Sequence, residues 1–351
     1  MQSWFSRCLI LKSSTLVNSV QLSSHKLIIV MASYNGARFI EEQIKSIQGQ
    51  TVVDWSLIIR DDGSCDGTVE TILRLTEKDH RITLLQDGFG NLGVVQNFAR
   101  LMQIALDSDA GYVAISDQDD VWHREKLQSL LLEMKKIESG DSASIPVLIH
   151  SDLEVVDDGM RVIAHSFMDY AKIFPEPVKL GHLLCQNDVT GCACLLNRAL
   201  LKLALPVPHG LLMHDWWLAL LAASAGKIAY VNRALVQYRQ HAGNVVGAKS
   251  GLARIVTYSL KPERWRQQIE NVFSSIRQAR MLIERLQIRD AATRDKKNLE
   301  VIDAYAKLAN VSRLQRLQVI RTYKIHKRSV MPDVLFLLVI LSMPSSFASE
   351  Q

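Results

Sequence analysis

Leu27 to Ala32 (LIIVMA) is an unbroken apolar run, the pattern of a strand buried on both faces. Ser33-Tyr34-Asn35-Gly36 breaks it, and Phe39, Ile40, Ile44 and Ile47 then recur at helical spacing. The unit repeats. Trp55 to Arg60 reads as a strand ending at Asp61-Asp62-Gly63-Ser64, and Asp66-Gly67-Thr68 opens a helix with Val69, Ile72, Leu73 and Leu75 on its apolar face. Ile82 to Leu85 is a third strand, followed by a glycine-rich loop through Gly93 and a helix over Gln96 to Leu106. Tyr112 to Ser116 is a fourth, closed by Asp117-Gln118-Asp119-Asp120 and followed by a long amphipathic helix over Arg124 to Ile137. Val147 to His150 is a fifth, ending at Ser151-Asp152. Such alternation predicts an α/β fold, a mostly parallel sheet between helices.

Beyond Gly181 the pattern is less regular. Cys192 to Leu196 and Lys227 to Val231 read as strands, and His214 to Ala225 as a helix. Gly251 to Arg328 reads as two or three basic helices. Val334 to Leu341 (VLFLLVIL) is wholly apolar, but a membrane-spanning helix needs about 20 such residues.

Charge sharpens this division. The 351 residues carry a net charge of +5, yet Lys249 to Arg328 holds 19 Lys and Arg against 7 Asp and Glu. The N-terminal part is therefore acidic and the C-terminal part basic. Basic residues beside a short apolar run suit peripheral contact with an anionic membrane surface, or a terminal helix packed on the protein with a solvated basic face. No recognition motif accompanies the charge, which argues against nucleic acid. The five cysteines form no C-x-x-C pair and read as small buried hydrophobes of a reducing compartment, with Cys192 and Cys194 on one face of a strand.

Ligands of such sheets sit at the carboxyl ends of the strands. Four of these ends carry polar clusters: Ser33/Asn35, Asp61/Asp62, Asp117/Asp119 and Asp152. Several aspartates at neighbouring strand ends exceed what turns require, because like charges repel unless a cation or hydrogen-bonding ligand is present. Carboxylates spaced i, i+2 on extended backbone can share a hard cation such as Mn²⁺ or Mg²⁺ that bridges to a diphosphate. Asp117 and Asp119 occupy the ligand edge, whereas the similar Asp107-Ser108-Asp109 precedes its strand and reads as a solvated turn. Asp120 suits the turn or a helix cap. Asp215 opens a helix, where a carboxylate suits a cap. Trp216 and Trp217 suit the core. Asp152 suits a strand-end turn. His241 could add a metal ligand, and Arg239 could offset diphosphate charge.

The ordered set S-Y-N-G (Ser33–Gly36), R-D-D-G-S (Arg60–Ser64), N-L-G-V-V-Q-N-F (Asn91–Phe98), S-D-Q-D-D-V-W (Ser116–Trp122), H-S-D-L (His150–Leu153), T-G-C (Thr190–Cys192), H-D-W-W (His214–Trp217) and Y-R-Q-H (Tyr238–His241) resembles family 2 glycosyltransferases of the GT-A fold. The details look most like rhamnosyltransferase-type members that build bacterial surface polysaccharides. The resemblance implies a GT-A domain over residues 27–248; charge and pattern add a basic helical region over 249–330 and a short apolar tail over 331–351 suited to membrane-surface contact, and residues 1–26, without an acidic residue, read as a disordered extension. It implies that Ser33, Asn35, Asp61 and Asp62 hold the nucleotide, that Asn91 and Gly93 shape the adjoining loop, and that Asp117 touches ribose or metal. Asp119, with His241, would hold Mn²⁺ or Mg²⁺. Asp215 would be the catalytic base, with Asp152, His214, Trp216, Trp217 and Arg239 near the acceptor or donor sugar. His214 stands where relatives carry Glu.

The implied reaction is inverting transfer of a sugar, with rhamnose from a dTDP-sugar as the leading expectation. The acceptor would be a saccharide or lipid-linked saccharide, and the setting cytoplasmic or at the cytoplasmic face of the inner membrane. A nucleotide-sugar-binding scaffold without turnover is the alternative. No G-x-G-x-x-G follows the first strand, which argues against a nicotinamide-dependent oxidoreductase.

Overall fold

A computed structural model describes residues 27–139, 145–173, 179–241, 262–288, 295–328 and 330–343. The expected extension 1–26, the first part of the basic region (249–261) and the end of the tail (344–351) lie outside the described residues.

The strands are β1 (Leu27–Ser33), β2 (Ser56–Asp61), β3 (Ile82–Leu85), β4 (Tyr112–Ser116), β5 (Val121–Trp122), β6 (Val147–Val156), β7 (Val162–Ala164), β8 (Cys194–Asn197) and β9 (Lys227–Arg239). They form one sheet in the order β3-β2-β1-β4-β8-β6-β9-β5, with β7 paired to β6. The first four run parallel, β8 is antiparallel to both neighbours, and β9 runs parallel to β6. The sheet is thus mixed but mostly parallel, as expected.

The unbroken apolar character of β1 has a direct cause. Ile28 and Val30 enter one core layer, while Leu27, Ile29 and Met31 enter the other. Alternating side chains leave a strand on opposite faces, and helices cover both. One face is closed by α1 (Ile40–Gln48), α2 (Thr68–Thr76) and α4 (Lys126–Glu138), through Ile40, Ile44, Ile47, Ile72, Leu75, Leu127, Leu130 and Met134. On the other lie α3 (Gly93–Asp107), the short α6 (Leu180–Cys185), α7 (Arg198–Ala204) and α8 (His214–Ala225), which supply that core, while the short α5 (Phe167–Ala171) packs in a small separate cluster with Ile173. The sequence pattern missed α5, α6 and α7, which are too short to show a helical period.

Cys192 and Cys194 do not share a face. Cys192 lies in a 3-10 turn, Gly191–Ala193, ahead of β8, so the two thiols enter opposite core layers.

The C-terminal helices are α9 (Pro262–Gln287), α10 (Lys296–Ala306), α11 (Arg313–Tyr323) and α12 (Val330–Ser342). Their Ile276, Leu282, Ile302, Tyr305, Ile320, Phe336 and Ile340 share the layer that holds Trp217 and Leu221 of α8. That explains why α8 is apolar all round: it lies between the sheet and these helices. The apolar run expected as a tail is therefore helical with one face in the core. Arg316, fully buried, fastens it by donating to the carbonyls of Leu308, Ala309, Ile340 and Met343. No helix among the described residues is long and apolar enough to cross a membrane.

Candidate active site

The ends of β1 and β2 are tied together. The Asp61 carboxylate accepts from Ser33 Oγ at 2.8 Å, from Ser64 Oγ at 2.6 Å and from the amides of Gly63 and Ser64. Asn35 adopts φ +49°, and its Oδ1 accepts from the Cys65 amide. Asp62 turns inward, buried, and accepts from Arg60 Nη1 (2.7 Å) and the amides of Leu92 and Gly93 (2.7 and 2.8 Å). Asn91 Nδ2 donates to the Asp62 carbonyl. Gly93 has φ +72°, a conformation that a β-carbon disfavours, and this brings its amide onto Asp62. Asp62, Asn91 and Gly93 thus form one wall of a cleft of about 540 Å³.

Asp117, Gln118 and Asp119 form the floor, following β4. Gln118, a position to which the sequence pattern assigned no role, stitches two loops: its Oε1 accepts from the Tyr34 amide at 2.8 Å and its Nε2 donates to the Tyr34 carbonyl at 2.9 Å. It passes so close to Gly36 that a β-carbon there would overlap the Gln118 amide. Burial, then repulsion from Asp119 and Asp215, pushes the Asp117 carboxyl up to about 7. Asp119 Oδ2 lies 2.8 Å from His241 Nε2.

Asp120 is fully buried beneath this floor, and burial raises it well above the usual carboxylate range. One ligand atom from each of Asp117, Asp120 and Cys192 falls within 4.8 Å of the other two. Burial raises the Cys192 thiol far from ionisation, and a thiol is a poor ligand for a hard cation. Lys126, also buried, donates to the Cys192 carbonyl at 2.5 Å and is pushed down to about 7 by burial. Burial thus biases the groups of the deep cluster toward their neutral forms, whereas Asp117 and Asp119 line the cleft, with His241 against Asp119.

Asp215 faces Asp117 from the start of α8. Its Oδ1 accepts from Asn187 Nδ2 (3.0 Å) and the Trp216 amide (2.6 Å), and its Oδ2 from the Gly191 amide (3.1 Å). Burial pushes it up to about 6 despite these donors. Asn187, on the irregular segment between α6 and the 3-10 turn, carried no sequence signal because no motif or periodicity marks it. His214 stacks on Phe98 at 4.1 Å and is held neutral by burial, at about 3. Neither of its ring nitrogens finds a hydrogen-bonding partner among the described residues. Trp216 lines the cleft and donates Nε1 to the Leu183 carbonyl at 2.6 Å.

Three expected sugar contacts lie elsewhere. Trp217 is a core residue with no exposure, its Nε1 donating to the Ala204 carbonyl. Helical spacing turns it roughly 100° from Trp216. Arg239 is buried, donating to the Asp119 and Asp158 carbonyls and to Glu42 Oε2 at 2.6 Å, so it braces the aspartate loop from behind. The Asp152 carboxylate accepts from Ser166 Oγ and the amides of Phe167 and Met168, which fixes the start of α5.

A mixed sheet with a polar cleft at its strand ends, where Asp117, Asp119 and Asp215 meet beside a glycine-bearing wall, is the arrangement of an α/β enzyme site. Residues 28–176 match the family model of glycosyl transferase family 2. The dTDP-rhamnosyl transferase RfbG of Shigella flexneri is 27% identical over 254 residues, 70% of this chain and 84% of its own length. The UDP-Glc:alpha-D-GlcNAc-diphosphoundecaprenol beta-1,3-glucosyltransferase WfgD of Escherichia coli is 26% identical over 207 residues, 58% of this chain and 72% of its own. The S. aureus TarS 1-349 structure, in complex with UDP-GlcNAc, superposes with a TM-score of 0.51 over 85% of this chain and 90% of that one, at 15% identity, a likeness of fold. Residues 28–176 are thus a glycosyl transferase family 2 region, and the chain is similar to glycosyltransferases of polysaccharide synthesis.

Proposed function

We propose that the protein is an inverting, divalent-metal-dependent transferase that moves a sugar, with rhamnose from a dTDP donor as first candidate, to a saccharide or lipid-linked saccharide acceptor during surface-polysaccharide synthesis. The observation that carries the chemistry is the Asp215 carboxyl. It lies in the same cleft as Asp117 and Asp119, is raised to about 6, and is held by Asn187 and two amides. A carboxylate of that basicity is ionised at neutral pH yet accepts a proton more readily than an exposed aspartate.

Ser33, Asn35 and Asp61 position the nucleoside, and Asp62 holds the Asn91–Gly93 wall beside it. The residues fit a metal, because Asp117 and Asp119 line the cleft two positions apart and His241 Nε2 lies 2.8 Å from Asp119 Oδ2, a carboxylate and imidazole set suited to a divalent cation. Asp117, Asp119 and His241 would hold Mn²⁺ or Mg²⁺, whose role is to neutralise the charge growing on the departing diphosphate. Asp215 removes the proton of the attacking acceptor hydroxyl. The new bond forms from that oxygen to the anomeric carbon as the bond to the diphosphate oxygen breaks, so configuration inverts in one displacement. Trp216 offers an aromatic wall to the sugars, and His214 lines the same cleft with its ring stacked on Phe98.

The setting we propose is the cytoplasmic face of the inner membrane. Val330, Val334 and Leu338 repeat every four residues on α12 and are exposed (83%, 48% and 50%), with Lys324 and Lys327 just ahead. Such a stripe suits shallow contact with anionic lipid. The name of the RfbG relative favours a dTDP-rhamnose donor, and that of WfgD a diphosphoundecaprenol-linked acceptor. A thermal-shift screen of dTDP- and UDP-sugars with Mn²⁺, followed by nucleoside diphosphate release from the hits, tests the reading. No stabilisation by any nucleotide sugar, with or without metal, would sink it.

A further inference from the structure

The segment that holds Asp215 runs into β8 at one end and is anchored to the C-terminal region at the other. Asn187 and Gly191, which hydrogen-bond the two Asp215 oxygens, flank Asp188 on one irregular stretch. Asp188 is buried, and its Oδ1 accepts from Gln186 Nε2 at 2.8 Å. Its Oδ2 accepts from Arg328 Nε at 2.5 Å, in an ion pair whose side chains are 7% and 2% exposed. Two further contacts fix the neighbouring helix to the same stretch of C-terminal chain. The His182 ring nitrogen Nδ1 lies 2.9 Å from the His326 carbonyl oxygen. A β-carbon at Gly181 would come within 2.9 Å of the Tyr323 and Lys324 carbonyl oxygens. Residues 323–328 thus grip both ends of the stretch from Gly181 to Asp188.

We propose that Arg328 is a positioning residue for the transfer step: through Asp188 it fixes Asn187, and through Asn187 the orientation of the Asp215 carboxylate. The inference rests on the reading of Asp215 as the base. An ion pair is suited to this role. Once both charges leave water, each needs the other, so the pair has one preferred arrangement and little freedom. Loss of Arg328 leaves the nucleotide-binding loops after β1, β2 and β4 intact, because their hydrogen bonds close among themselves. It frees Asn187, and a displacement of about 1 Å in a catalytic group lowers a rate by as much as 100-fold.

The test is a double-mutant cycle on the full chain with Arg328→Gln and Asn187→Ala. The probe is nucleoside diphosphate released from dTDP-rhamnose, or from UDP-glucose if the wild type turns that over instead, with donor KM measured alongside. Each single variant is expected to lose kcat by about 10- to 100-fold with donor KM within about threefold, and the double variant to be no slower than the slower single. Hydrogen exchange of residues 183–192 is expected to rise in Arg328→Gln. Should that variant not fold, Asp188→Asn opens the same link from the other side and is read in the same cycle. Additive losses, or unchanged kcat and unchanged exchange, beside an inactive Asp215→Asn, overturn this inference and leave the base assignment standing. A fully active Asp215→Asn overturns both.

Discussion

Replacing Asp215 by Asn separates chemistry from folding because the two effects have opposite signs. The asparagine keeps the shape but cannot accept a proton from an acceptor hydroxyl. Removal of a general base lowers rates by about 10²- to 10⁴-fold, or about 3–5 kcal/mol of barrier. Stability moves the other way. The folded carboxyl is raised from 3.8 to about 6 by burial, so the folded state is penalised once pH rises above the unfolded value, and fully so above about 6. A difference of about two pH units corresponds to about 3 kcal/mol, which the amide does not incur. Against this, Oδ1 and Oδ2 accept from Asn187, Gly191 and Trp216, and the amide nitrogen must face one of those donors, losing about 1–3 kcal/mol. The expected result at pH 8 is a melting temperature close to wild type, unchanged nucleotide binding and kcat down by at least 100-fold. The assay pairs thermal melts and nucleotide titration with nucleoside diphosphate release. A kcat within tenfold of wild type refutes the reasoning, and so does a rate loss explained by unfolding.

The same carboxyl sets a pH dependence: kcat should fall about tenfold per unit below pH 6 and level off above it, since only the ionised form acts as base; a rate flat down to pH 4.5 contradicts this. Asp119→Ala should remove the thermal stabilisation that Mn²⁺ adds to bound nucleotide, about 2–3 kcal/mol at 100-fold excess over Kd, while the apo protein melts as before; persistence of the metal effect places the ion elsewhere. Trp217→Ala should lose about 3–5 kcal/mol of stability in denaturant melts, because a fully buried indole leaves a cavity. Trp216→Ala, at the cleft wall, should lose less stability but raise acceptor KM, and equal losses at the two positions would contradict their different burial. Val334→Asp with Leu338→Asp should reduce sedimentation with vesicles rich in phosphatidylglycerol while leaving donor hydrolysis unchanged; equal sedimentation removes the lipid contact.

The sequence by itself determined the alternating architecture of residues 27 to 137, because a strand covered on both faces must be apolar at consecutive positions and its helices at every third or fourth. It also placed aspartates at the strand ends, since a chain returning to the same sheet edge brings those ends together whatever its loops do. It could not tell which face of a helix or loop meets the cleft. Trp216 and Trp217 are chemically the same and adjacent, and only the packing of α8 between sheet and terminal helices sends one to the cleft and the other to the core. Arg239 and Asp152 look like site residues in the same way, and tertiary contacts turn one into a brace and the other into a helix anchor. Asn187 and Arg328 lie 141 positions apart, in segments without periodicity or motif, and meet through Asp188. Local pattern reports what a residue's neighbours in sequence require, whereas an ion pair between distant segments exists only once the whole core has closed around it.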